Sequence, residues 1–274
     1  MKKFLLMITM AAMLLSAAGC SKDAGNTDEA ASLAIACELT SEEYGIGFRK
    51  GSDLTETVNG YIAELKEDGT LDAISEEYQL TLASLEASEE EEATVKDVDY
   101  VKANGKMIIG ITDYAPMNYK DEEDKWTGFD TEFAEAVCAK LGVEAEFVEI
   151  DWDNKFVALE SKVIDCIWNG MTISDEVLKN TSCSVAYVKN AQVVVMNADK
   201  AAEYKDAESM ADLSFAVESG SAGATAAEEN AFANVVEVGT QTDALLEVTS
   251  GSCDACIIDI TMANAMIKYL NLKI

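Results

Sequence analysis

From Met107 onward, short apolar runs alternate with stretches whose apolar residues return every three or four positions, and no other feature of the chain restricts its fold as strongly. "MIIGIT" reads as a buried strand. The segment "FDTEFAEAVCAKLG" reads as a helix, with Phe129, Phe133, Val137 and Leu141 on one face and Gly142 closing it. "EFVEI", "NKFVALES", "DCIWN", "AQVVVM", "SFAVE", "ATAAEENAF", "TDALLEVTS", "ACIID" and "TMANAMIKYL" extend the series. Strands alternating with helices predict an α/β architecture with largely parallel sheets.

A chain of 274 residues can form two core-bearing units or one larger α/β unit. Its 51 acidic against 20 basic residues leave a net charge of -31, which repels phosphate backbones and argues against a nucleic-acid partner. Histidine is absent. That removes the usual general base, the commonest metal ligand and every Ser-His or Cys-His pair, while carboxylate and lysine chemistry stay open. No cofactor, metal site or catalytic residue is expected.

The start, "MKKFLLMITMAAMLLSAAGC", has Lys2 and Lys3, an apolar run from Phe4 to Leu15 and small residues before Cys20. This is the pattern of an export signal, too short for a stable transmembrane helix. It resembles a bacterial lipoprotein signal whose Cys20 would become the lipidated N-terminus, although Ala17 stands where leucine is commonest. An ordinary cysteine near a cleavage site is the alternative. Most of the six other cysteines lie in apolar runs and read as buried thiols. "CDAC" at 253–256, a single pair without histidine, reads as structural ahead of redox or zinc.

Ahead of Met107, "SKDAGNTDEAAS" suits a flexible tether and "LTSEEYGIGFRKG" a short strand. Asp53 is expected to cap a helix carrying Leu54, Val58, Ile62 and Leu65, closed by Gly69, and a second helix carries Leu71, Ile74 and Tyr78. Residues 86–99 hold seven acids against one lysine, have no apolar period and read as a solvated connector.

The blocks "IIGITDYAPMNY", "WTGFDTEFAEAVCAKLG", "KVIDCIWNGMTIS", "SFAVESGSAG" and "SGSCDACIID" resemble, in this order, the amino-acid-binding proteins of bacterial ABC importers. The resemblance implies a periplasmic binding protein-like Venus flytrap, two α/β lobes with mixed, mainly parallel sheets that close on a small-molecule ligand. It also implies an extracytoplasmic receptor, held to the membrane by its lipid anchor, that serves a membrane permease. In that family the chain continues past the last block, crosses back between the lobes and ends with a Tyr-Gly strand and two helices on the first lobe. Here the section resembling that ending lies in front, at residues 33–80, and includes "EEYGIGFRKGSDLTETVNGYIAELKEDGTLDAISEEY".

The fold expected is therefore a circularly permuted one. Residues 1–20 form the signal, 21–32 the tether, 33–42 part of lobe 2 and 43–80 the displaced helices of lobe 1. An acidic connector at 81–105 leads to the remainder of lobe 1 (106–188) and of lobe 2 (189–274). About 25 extended residues reach up to roughly 80 Å, more than a lobe needs. Permutation is tolerated where termini lie close together on the surface. A truncated piece of a longer tandem gene and an independent N-terminal helical module are the alternatives. Permutation predicts that residues 33–37 join the lobe 2 sheet near residues 270–274, and that Tyr44 sits close to a crossover.

Carried over residue by residue, the resemblance implies a cleft that meets a zwitterion with matched charges. Asp259 occupies the place that pairs with the ligand amine, with helix capping as its other reading. Gly170 and Thr172 match strand-edge contacts, and Gly220 and Ser221 a turn that assists with the carboxylate. The arginine that usually grips the carboxylate is replaced by Val177, which no nearby lysine duplicates in geometry. With Glu218, Asp113 and Asp259 lining the cleft and no arginine, the pocket would favour a cationic or amine-bearing solute. Tyr114, Trp152 and Trp168 would supply aromatic walls and Asn169 a polar contact, core packing being the plainer reading of each ring.

A receptor needs no chemistry. It closes about two crossovers, near residues 187–192 and 41–44. Its rivals are an enzyme on the same scaffold, a dehydratase or lyase using cleft carboxylates as acid and base, and the sensing module of a signalling receptor.

Overall fold

The computed structural model describes residues 32–85 and 93–271, with side chains up to residue 268. Cys20, the signal and nearly all of the tether lie outside the described residues. The first described segment forms β1 (Leu33–Glu38), β2 (Glu42–Arg49), α1 (Leu54–Glu67) and α2 (Thr70–Tyr78). After α3 (Asp97–Asn104) come β3 (Lys106–Ile111), β4 (Tyr119–Lys120), β5 (Trp126–Thr127), α4 (Phe129–Leu141), β6 (Glu144–Glu149) and α5 (Lys155–Glu160). Then follow β7 (Cys166–Thr172), α6 (Asp175–Asn180), β8 (Thr181–Cys183), β9 (Val188–Asn190) and β10 (Gln192–Asn197). The last part holds α7 (Ala198–Ala201), β11 (Ser214–Glu218), α8 (Ala222–Glu229), β12 (Asn234–Val238), α9 (Gln241–Thr249), β13 (Ala255–Asp259) and α10 (Ile260–Asn271).

Two sheets organise these elements. One runs β6-β3-β7-β2-β8, with β9 also paired to β2; the other runs β1-β10-β13-β11-β12. The apolar spacing of the helices decides which face each buries. Leu54, Val58, Ile62 and Leu65 turn inward from α1, Leu71, Ile74 and Tyr78 from α2, and Phe129, Phe133, Val137 and Leu141 from α4. These three helices pack on one another beside the first sheet, and Phe133 meets the Trp168 ring edge-on at 5.1 Å.

The sheets are mixed, with more antiparallel pairing than the strand–helix alternation predicts. Parallel ladders join β3 to β6 and β7, and β11 to β12 and β13. β2 and β10 run antiparallel to every strand they touch. Both belong to the segments that pass between the sheets, so each enters against the grain of strands fed by helical crossovers.

β1 pairs with β10, placing Leu33 opposite Asn197, and α10 packs against β1. β2 enters the first sheet with Tyr44 opposite Val188, and residues 188–197 leave that sheet for the second. The first segment thus gives one strand to each sheet. Residues 272–274, the far end of the neighbour expected for residues 33–37, lie outside the described residues.

Two local expectations are corrected. Asp53 holds the position before α1 without capping it, because its Oδ1 accepts from Val98 N at 2.9 Å. The acidic stretch is not solvated throughout: Asp97 begins α3, is 1% exposed, and accepts from Arg49 Nε at 2.9 Å and Ser52 Oγ at 2.8 Å. Arg49 also reaches Asp165 Oδ1 at 3.0 Å and Ile164 O at 2.8 Å, tying the first segment to the residues just before β7.

Candidate functional site

A cavity of about 220 Å³ lies between the two sheets, lined from both. Its first wall comes from the end of β7, where the chain must turn past two tyrosines. Gly170 takes φ +56°, and a Cβ there would stand 2.6 Å from the Tyr114 ring, so glycine is required. Asp130, fully buried, fixes that turn by accepting from Gly170 N at 2.6 Å and from the Tyr187 hydroxyl at 3.0 Å. Burial without a cation lifts its carboxyl to about 7.

The opposite wall is the Gly220–Ser221 turn between β11 and α8. Ser221 caps α8, its Oγ accepting from Ala224 N at 3.2 Å. Gly220 adopts φ +67° and lies so close to Asp153 that a Cβ would be 2.9 Å from the Asp153 Cα. Across this contact Lys155 Nζ donates to Gly220 O at 2.8 Å while lying over the Trp152 ring. Burial lowers the Lys155 pKa.

The floor is Asp259, 5% exposed at the end of β13. Its Oδ1 accepts from the Gln192 amide at 2.8 Å and from Asn190, and its Oδ2 accepts from Gln241. Gln192 at 2.7 Å, Asn190 at 2.6 Å and Thr172 Oγ1 at 2.7 Å also donate to Glu42 Oε1. Two carboxylates thus share amide donors, and no cation among the described residues is bonded to either. Burial and the charge of Glu42 raise Asp259 to about 6, and burial and Asp259 raise Glu218 to about 8. Behind the floor, the hydroxyls of Tyr44, Tyr114 and Thr261 form a triangle with sides of 2.6, 3.0 and 2.5 Å, joining β2 and the loop after β3 to α10.

Of the residues singled out in the sequence, Tyr114, Trp152, Asn169, Gly170, Thr172, Glu218, Gly220, Ser221 and Asp259 line this cavity, and so does Val177. Two do not. Trp168 is buried against Phe133 on the helix-covered face of the first sheet, and Asp113 is exposed on the loop beside Tyr114. Asn169 lines the cavity but turns its amide to Thr112, accepting from its N at 3.0 Å and donating to its O at 3.0 Å. Sequence reasoning missed Glu42, Lys155, Asn190, Gln192 and Gln241. The crossovers at 41–44 and 187–192 were the signal for three of these.

Residues 107–272, more than half of the chain, match the family of bacterial extracellular solute-binding proteins, family 3. The chain belongs to that family. It is 39% identical over 88 residues to the L-cystine-binding protein of Escherichia coli (strain K12), 32% of this chain and 33% of that protein. That match spans about a third of the relative's length. The structure of holo ArgBP from T. maritima aligns with a TM-score of 0.59 at 32% identity, covering 62% of this chain and 76% of that one. More distantly, 130 residues are 25% identical to cyclohexadienyl dehydratase of Pseudomonas aeruginosa, 47% of this chain and 46% of the enzyme. The fold is thus periplasmic binding protein-like and the family extracellular, with amino-acid-binding proteins as the nearer relatives and an enzyme among the farther ones. No helix among the described residues is long and apolar enough to cross a membrane.

Proposed function

We propose that this family member is an extracytoplasmic receptor of an ABC importer, anchored through a lipid on Cys20, which captures an amino acid or a related small amine by lobe closure. It hands the ligand to a membrane permease. One observation carries the reading: a small cavity between two sheets has a buried carboxylate, Asp259, at its floor and a contact between its walls at Lys155 and Gly220. A cation entering there meets a charge that is desolvated and oriented beforehand. The family and the amino-acid-binding relatives support the same reading.

The chain order follows as a circular permutation of the family's order. Its support is that β1 and β2, first in the chain, each lie beside strands from much later in it, Asn197 and Val188 being partners of Leu33 and Tyr44.

The dehydratase relative and the raised Glu218 and Asp259 carboxyls favour a second reading, acid–base elimination in the same cavity. Mass spectrometry of small molecules carried through purification separates the two. A receptor returns its ligand unchanged on reincubation, and an enzyme returns product. Calorimetry with that ligand tests the site itself: Asp259→Asn is expected to weaken binding by more than about tenfold, a loss above about 1.4 kcal/mol. Undiminished affinity contradicts the assignment.

A further inference from the structure

Building on the receptor reading, we propose that the ligand is a small amine or guanidine that carries no carboxylate. Among the described residues, six ionisable side chains line the cavity: Glu42, Glu176, Glu218, Glu229, Asp259 and a single basic one, Lys155. A ligand carboxylate entering this space needs N–H or O–H donors, and several in and beside it are already given to other acceptors. Thr172, Asn190 and Gln192 give their protons to Glu42, and the two amides also serve Asp259. Gly170 N is bound to Asp130, and Ser221 N to Glu218 O at 3.3 Å. Lys155 donates to Gly220 O and to Trp152 O at 3.2 Å.

No guanidinium is in reserve. Arg49 is the chain's single arginine, and it is held by Asp97 and Asp165 in the core of the first sheet. Val177, where a longer side chain would project from the first turn of α6, is packed among apolar neighbours. Acceptors are in surplus instead. Glu42 and Asp259 accept from neutral amides and, at Glu42, the hydroxyls of Thr172 and Thr40, and Glu218 lies in the field of Asp259 with Lys155 as its cation. An ammonium or guanidinium relieves this excess, whereas a carboxylate adds to it. The volume, about 220 Å³, is below the roughly 300–1,000 Å³ usual for drug-sized ligands and suits a compound of a few carbons.

Titration calorimetry with three matched pairs tests this: arginine with agmatine, ornithine with putrescine, lysine with cadaverine. Each pair differs by one carboxylate. In at least one pair the amine is expected to bind about tenfold tighter or more. Val177→Arg, which adds the missing guanidinium, is expected to narrow or reverse that ratio. Glu42→Gln, which keeps the side chain's size, is expected to weaken the amine more than the amino acid. Equal or tighter binding of the amino acid in every pair overturns the inference and leaves the receptor reading standing. No binding of any of the six also overturns it, and the receptor reading then rests on the co-purified ligand.

Discussion

Two buried groups of carboxylates in this molecule differ in what neutralises them. Around Arg49, Asp97 and Asp165 each accept from the guanidinium, and Ser52 Oγ and Ile108 N supply further bonds. Around Asp259, the donors are the amides of Asn190, Gln192 and Gln241, and two of them are shared with another acid, Glu42. With Lys162 Nζ 3.8 Å from Asp97 Oδ1, the first group sets two cations against its two carboxylates. The second does not, and Glu218 and Asp259 respond with pKa values raised to about 8 and about 6. An ion pair that holds the fold closes its own account of charge, while a site built for a cation leaves acidity exposed to whatever fills it.

That contrast can be broken at either end. The largest effect is expected in the first cluster. Arg49→Met takes the guanidinium from buried Asp97 and Asp165, leaving only Lys162 beside Asp97, and should cost about 3–5 kcal/mol in urea unfolding, while ligand affinity per folded molecule is unchanged. A loss under about 1 kcal/mol would place the two clusters in the same class.

A smaller effect, of opposite sign, is expected in the second one. Glu218 and Asp259 titrate in the folded protein above their ordinary values of 4.5 and 3.8, so the fold holds protons that the unfolded chain has released. Asp130, raised to about 7, adds to this. Their contribution to the ligand-free protein is therefore greatest below about pH 4 and is lost as pH rises through about 6, 7 and 8. Glu218→Gln removes one of these groups. Melting curves at pH 5 and pH 8 should show the variant gaining on the wild type at the higher pH; a pH slope unaltered by the substitution would count against burial of a protonated Glu218.

The smallest effect concerns the contact between lobes. Thr261→Val removes one corner of the hydroxyl triangle with Tyr44 and Tyr114 and should cost about 1 kcal/mol of the closed form, read as a several-fold weaker affinity. An affinity loss as large as that of Asp259→Asn would mean that the triangle, and not the carboxylate, carries binding.

The helices and most parallel strands were legible because their burial follows a period, as in Leu54, Val58, Ile62 and Leu65 of α1. Asp259 was singled out through the resemblance to binding proteins, and it lies at the end of β13 lining the cavity. The side that Trp168 faces was not legible, because β7 is buried on both faces and bulges between its pairs with Gly45 and Gly47, so alternation does not tell the cavity side from the helix side. Asp97 and Glu42 look like solvent-facing acids among other acids; only tertiary contacts with Arg49, Asn190 and Gln192 single them out. The strands β8 and β9 have three residues each and give no measurable period. β12 is largely exposed at a sheet edge and lacks an apolar face.

The central claim is that the cavity's surplus acidity is what a ligand cation satisfies. Titration of the tightest-binding amine near pH 7, repeated in two buffers of different ionisation enthalpy, tests it most directly. Glu218 enters that experiment mainly protonated, and a bound ammonium should drive its proton off, so the difference between buffers should report release of up to about one proton per ligand. Binding with no proton exchanged, or with a proton taken up, would contradict the account.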